Sequence, residues 1–132
     1  MSDSPAIRRD GVMEALGIAA EEVSKGYARV SMTVTEAMLN VYGTCHGGVV
    51  FTLADSALGH ACNAEGPLAV ATGGDINFLR PSRLGDRLVA EARQRHQTRR
   101  TALFEVEVRN AGNNDLIALF AGRIAYPQLS KG

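Results

Sequence analysis

Apolar and polar residues alternate from Tyr27 to Val34, with Ala28, Val30, Met32 and Val34 on one side and Tyr27, Arg29, Ser31 and Thr33 on the other. A period of two marks a half-buried strand. Four further stretches read as strands, about Leu68 to Phe78, Asp86 to Thr98, Thr101 to Asn110 and Leu116 to Tyr126, divided by Pro81, Gly85, Arg99 and the turn from Gly112 to Asp115. Alternation is clean there: Ala102, Phe104, Val106 and Val108 face one way, and Thr101, Leu103, Glu105, Glu107 and Arg109 the other. Short links among the last three favour an antiparallel meander. Val49 to Asn63 is apolar on most of its circumference, which predicts a helix buried on nearly all sides. Gly11 to Gly17 predicts one or two helical turns before the first strand. Thr35 to Gly48 reads as a loop whose Gly43, Gly47 and Gly48 let the backbone turn sharply or approach a ligand closely. Strand, long helix and then a run of antiparallel strands is an α+β order in which one curved sheet wraps one helix.

The chain has 132 residues, the size of a single domain over 1–132, and 45% are hydrophobic, enough to build a core. Little room is left for a closed substrate cavity, which points to an active site between copies of the chain. Fourteen Lys and Arg balance fourteen Asp and Glu, so no overall field favours a polyanion and nucleic-acid binding is not expected. Met1 to Asp10 lacks the apolar run of a signal peptide. The longest apolar stretch, Val49 to Cys62, is interrupted by Thr52, Asp55, Ser56, Gly59 and His60 and falls short of the ~20 residues of a membrane span. A soluble cytoplasmic protein without membrane contact is expected. Cys45 and Cys62 are too few for a disulfide framework or a zinc site, so no metal is expected either.

Asp55 stands out, because an unpaired carboxylate within an apolar helix costs several kcal/mol or takes a raised pKa. Thr52, Asp55, Ser56 and Gly59 follow i, i+3, i+4, i+7 spacing and form one polar stripe, read as the lining of a wet cleft. An Arg pairing with Asp55 at a subunit contact is the bland alternative. Just upstream, His46-Gly47-Gly48 opens the helix, where free N–H groups and the helix dipole favour negative charge. Two glycines would let a thioester carbonyl approach those N–H groups, with Asp55 about two turns further along, a separation that fits acyl transfer. A plain N-terminal turn would also explain the Gly-Gly pair. His46 is read as holding the loop through ring hydrogen bonds, with general base as the other role. Cys45 beside His46 does not by itself make a nucleophile–base pair. Asn40 is either a turn residue or an amide that orients water or a carbonyl. Arg80, Arg83, Arg99 and Arg100 fall at predicted strand ends, where phosphates of coenzyme A or plain solvent would meet them.

Leu39 to Ala57, LNVYGTCHGGVVFTLADSA, resembles the signature of hotdog thioesterases of the phenylacetyl-CoA thioesterase (PaaI) type, and INFLRPSRLGD, Ile76 to Asp86, resembles a second stretch of that family. About nine-tenths of the chain is covered in order and length. The resemblance implies a hotdog fold, a curved antiparallel sheet of five to six strands around one central helix. It implies hydrolysis of acyl-CoA thioesters, phenylacetyl-CoA or hydroxyphenylacetyl-CoA, to free acid and CoA. By position it makes Asp55 the nucleophile or general base, the Gly47 N–H the oxyanion donor, and Asn40 and His46 supporting groups. Gly48, Thr72, Gly73 and the four arginines are then the expected substrate-binding residues. Each site would join Asp55 of one chain to Asn40, His46 and Gly47 of its partner, so that the homodimer is the smallest active unit, a homotetramer is expected and a monomer is inactive. No cofactor is called for, coenzyme A being part of the substrate. Some relatives carry a Ser or Thr hydroxyl that orients water where this chain has Gly73 and Gly74, with Thr72 as the stand-in. Two rivals share the fold: an acyl-thioester hydratase or dehydratase with His46 as base, against which stands the lack of a Pro-Gly run, and a non-catalytic acyl-CoA-binding protein, for which 132 residues show no effector segment.

Overall fold

The computed structural model describes residues 10–64 and 68–127; the stretch 1–9, which carries most of the leader-peptide reading, lies outside them. Helix α1, Gly11–Leu16, starts where the Asp10 carboxylate accepts a hydrogen bond from the Met13 N–H at 3.0 Å. It stops at Gly17, whose left-handed φ of 69° costs a glycine nothing. Strand β1, Ala19–Ser24, follows, and every residue in it is exposed. That explains why no strand was expected there: AAEEVS buries no face and so carries no alternation to read. Strand β2, Tyr27–Thr33, buries Ala28, Val30 and Met32 as predicted. A 3-10 turn at Glu36–Met38 leads into helix α2, Gly47–Cys62.

Strands β3 (Val70–Phe78), β4 (Arg87–Gln97), β5 (Thr101–Asn110) and β6 (Leu116–Ala125) complete one six-stranded sheet in the order β1-β2-β4-β5-β6-β3. Every pairing is antiparallel, and β4, β5 and β6 form the expected meander. Because α2 intervenes between β2 and β3, β3 is carried to the far edge beside β6. The α+β architecture of one antiparallel sheet and one central helix is the hotdog arrangement.

Two expectations about burial need correction. Helix α2 is buried on one face only, through Val50, Leu53, Ala54, Ala57, Leu58, Ala61 and Cys62, while Phe51 and Asp55 on the other side are exposed. The small side chains of Ala54, Ala57 and Ala61 seat the helix on the sheet, while Val49 packs at the core's margin and the half-exposed Phe51 meets the Phe120 ring at 5.2 Å between centroids. Gly122 permits that close seat, since a Cβ there would lie 2.7 Å from Leu58 Cδ2. Alternation is also absent from β3, where no residue is buried. Leu68, Val70, Phe78 and Leu79 stand exposed along or beside this open edge.

The core itself is closely filled. Phe104, on β5, is 1% exposed beneath α2. Phe104→Ala is expected to lower unfolding free energy by ~3–5 kcal/mol, read by chemical denaturation, because the cavity it leaves is enclosed by helix and sheet.

Candidate active site

The loop before α2 is braced from inside. Asn40 Oδ1 accepts hydrogen bonds from the Tyr42 N–H at 2.9 Å and the Thr44 N–H at 3.1 Å, and Asn40 Nδ2 donates to Thr44 Oγ1 at 3.0 Å. The amide is thus a turn residue, and the loop it shapes delivers Cys45 and His46 to the helix start. His46 is the N-cap: its Nδ1 accepts the Gly48 N–H at 3.1 Å, and its carbonyl accepts the Val49 and Val50 N–H groups. A backbone N–H can only donate, so Nδ1 holds a lone pair and the proton of the neutral ring sits on Nε2. That tautomer suits a brace and leaves no free ring lone pair for a base. Among the described residues the Gly47 N–H finds no acceptor, so it is the open donor of the first turn. The Phe78 ring packs against Gly47 on its Cα side; a Cβ on Gly47 would sit 3.1 Å from Phe78 Cζ. Sequence periodicity gave no sign of this aromatic lid, because it comes from the far end of β3.

A cleft of about 350 Å3 opens beside the Gly47 N–H, walled by Asn40, Val50, Phe78, Arg80 and Ser82 among others. Cys45 also lines it, but burial pushes its thiol pKa up and its S–H points to the His46 carbonyl at 3.7 Å. A protonated, turned-away thiol is a poor nucleophile.

Asp55 opens onto a second cleft of about 430 Å3 with Ser56, Gly59, His60 and Asp10. Three members of the polar stripe read from the sequence, Asp55, Ser56 and Gly59, line this cleft, whereas Thr52 does not and donates its hydroxyl to the Gly48 carbonyl at 2.8 Å. The Asp55 carboxylate is exposed in the single chain, not buried as expected, and no cation lies within ion-pair distance of it among the described residues. Even so, the cleft walls strip part of its hydration and Asp10 adds a like charge, and both push its pKa above the usual carboxylate value.

Gly47 and Asp55 do not meet within one chain. Eight helical steps set them ~12 Å apart along the axis and roughly 80° apart around it, too far for one carbonyl to touch both. The expected fit of that separation to acyl transfer does not hold for a single carbonyl within one helix. Thr72 sits at a bulge of β3 with its hydroxyl donating to the Arg123 carbonyl at 3.2 Å, and lines neither cleft. At Gly73 a Cβ would meet Arg123 Nη2 at 2.6 Å, so glycine there makes room for that guanidinium. Arg80 borders the Gly47 cleft and Arg83 lies a short way along the same loop, its N–H bonded to Asp86 Oδ2. Arg99 and Arg100 form the tip between β4 and β5, about 30 Å away at the other end of the sheet. Gly48, by contrast, keeps its N–H on His46.

Residues 42–117 match the family model of the thioesterase superfamily, more than half of the chain. The chain belongs to the thioesterase superfamily. It is 45% identical over 114 residues to the acyl-coenzyme A thioesterase PaaI of Escherichia coli, covering 86% of this chain and 81% of that one. The solved structure of the E. coli PaaI protein superposes with a TM-score of 0.86, over 89% of this chain and 84% of the other. A mutant of the phenylacetic acid degradation protein PaaI from Thermus thermophilus is 40% identical with a TM-score of 0.83, over 88% and 98% of the two chains. A Streptococcus mutans protein bound to acetyl CoA is 27% identical with a TM-score of 0.78, over 95% and 94%. As a thioesterase of hotdog fold, the chain is a thioester hydrolase, and among the described residues none of its helices is long and apolar enough to cross a membrane.

Proposed function

We propose that this thioesterase hydrolyses aryl-acyl-CoA thioesters, phenylacetyl-CoA or hydroxyphenylacetyl-CoA, in the cytoplasm, at a site built by two copies of the chain. The observation that carries the reading is the free Gly47 N–H at the start of a 16-residue helix, held open by the His46 brace. A thioester carbonyl seated there gains a hydrogen bond and the positive end of the helix dipole as its oxygen takes on charge. Asp55 of the other copy removes a proton from water, whose oxygen bonds to the carbonyl carbon; the C–S bond then breaks and CoA leaves as thiolate, taking up the proton. Alternatively the Asp55 carboxylate attacks first, the C–S bond breaks with CoA leaving as thiolate, and water then hydrolyses the resulting mixed anhydride to free acid and the Asp55 carboxylate, its released proton going to the thiolate. A raised pKa suits the base role, since basicity rises with it.

Sharing between copies is supported by the ~12 Å separation within one helix and by the open β3 edge with its exposed apolar side chains. A homodimer is then the minimal unit, with a homotetramer as two such dimers. Arg80 and Arg83, on the Gly47 side, are the arginines proposed to meet CoA phosphates beside that cleft; Arg99 and Arg100 reach a phosphate only from another copy or another direction. The acyl-thioester hydratase reading would need His46 as a base, and its Nδ1 lone pair is already occupied by Gly48.

Thiol release from phenylacetyl-, hydroxyphenylacetyl-, benzoyl- and medium-chain acyl-CoAs tests this directly. The aryl-acetyl substrates are expected to give the highest kcat/KM, by ~10-fold or more over straight chains. Binding of all four without release of CoA would mean an acyl-CoA-binding protein instead.

A further inference from the structure

Asp10 belongs to no motif that the proposed chemistry uses, yet it shares the 430 Å3 cleft with Asp55. It is held there firmly. Its side-chain Oδ1 accepts the Met13 N–H at 3.0 Å, and its carbonyl accepts the Glu14 N–H at 3.1 Å. Met13 and Leu16 on the same helix pack against the core, so α1 is anchored and cannot swing the carboxylate away. The N-cap of α1 thus places one acidic side chain in the lining of the cleft that also holds Asp55 of α2.

We propose that Asp10 is a positioning residue for hydrolysis, acting through Asp55 by keeping a fixed negative charge in the same cleft. The inference rests on the reading of Asp55 as the catalytic carboxylate. A like charge nearby disfavours ionisation of Asp55 and so strengthens it as a base, in the same sense as the loss of hydration. The other groups facing this cleft are His60 on α2, whose Nδ1 donates to the Ser56 carbonyl at 2.9 Å, and the apolar Val23 from β1; the Cys62 thiol on the same helix is pushed up chiefly by burial, with a smaller push from the Asp55 charge.

The variant that isolates the charge is Asp10→Asn, because asparagine caps a helix about as well as aspartate and leaves α1 in place. Asp55 would be titrated by 13C NMR of its carboxylate in the assembled protein, with Asp55→Asn identifying the signal, and the pH profile of kcat/KM would be recorded beside it. With Asp10→Asn the Asp55 midpoint and the acid limb are both expected to move to lower pH. At the pH where the unaltered enzyme is half active, the variant should keep about two-thirds or more of its plateau rate. The displacement should shrink as salt is raised, as that of a screened charge does. An unchanged Asp55 midpoint in a folded Asp10→Asn protein would overturn the proposal while leaving the catalytic reading intact. Full activity of Asp55→Asn would instead overturn the reading on which it rests.

Discussion

Asp55→Asn is expected to reduce thioester hydrolysis by ~100-fold or more while leaving fold and substrate affinity nearly unchanged, which is the scale of losing a general base or nucleophile. Asparagine keeps the size and removes both charge and basicity. Stability should hold or rise. The folded-state pKa of Asp55 is raised, so the ionised form is disfavoured in the native protein and its penalty is felt above that pKa; the neutral amide removes the penalty at neutral pH. For the same reason the activity of the unaltered enzyme should fall as pH drops through the raised Asp55 pKa. Thiol release, substrate binding and thermal unfolding measured on one preparation separate the effects. If the variant dissociated or unfolded and its surviving oligomer still hydrolysed phenylacetyl-CoA at the original rate, Asp55 would be an interface ion-pair residue.

Two dead variants are expected to restore activity when mixed, provided each half comes from a different chain. Gly47→Val places a branched side chain where even a Cβ is 3.1 Å from Phe78 and blocks the open N–H. Asp55→Asn removes the carboxylate. Each homodimer lacks one half of both sites. In a mixed dimer, however, the Asp55 of the Gly47→Val chain faces the intact Gly47 of the other, so one of its two sites is whole. Random co-assembly makes half the dimers mixed, and about one quarter of the unaltered activity should return. Purified variants would be co-refolded at equal concentrations and assayed by thiol release, with light scattering to confirm assembly. Activity staying at the level of the separate variants would mean that each site lies within one chain, against the ~12 Å spacing along α2.

Several elements are legible in the sequence itself. The Thr101 to Asn110 strand was read at its observed bounds, because one of its faces meets the core and the other meets solvent, and that contrast is written residue by residue. Cap residues and glycines act locally too, so His46-Gly47-Gly48 could be recognised as the opening of a helix, although α2 begins at Gly47 and not at Val49. The family signature from Leu39 to Ala57 brought Asn40, His46, Gly47 and Asp55 into one reading.

Tertiary structure decided what depends on contacts distant in sequence. Strand β1 escaped notice because it buries nothing, and β3 reached the far edge of the sheet because of where α2 lies between strands. Composition made α2 look wrapped and Asp55 look buried, but hydrophobicity says that a face will be covered without saying by what; in the single chain that face is open. The Phe78 lid on Gly47 and the Asp10 carboxylate in the Asp55 cleft arise from elements that meet only after folding. Above all, helical rise sets Gly47 and Asp55 ~12 Å apart on one helix, so the same spacing that identifies the pair in sequence prevents one chain from using both on one carbonyl.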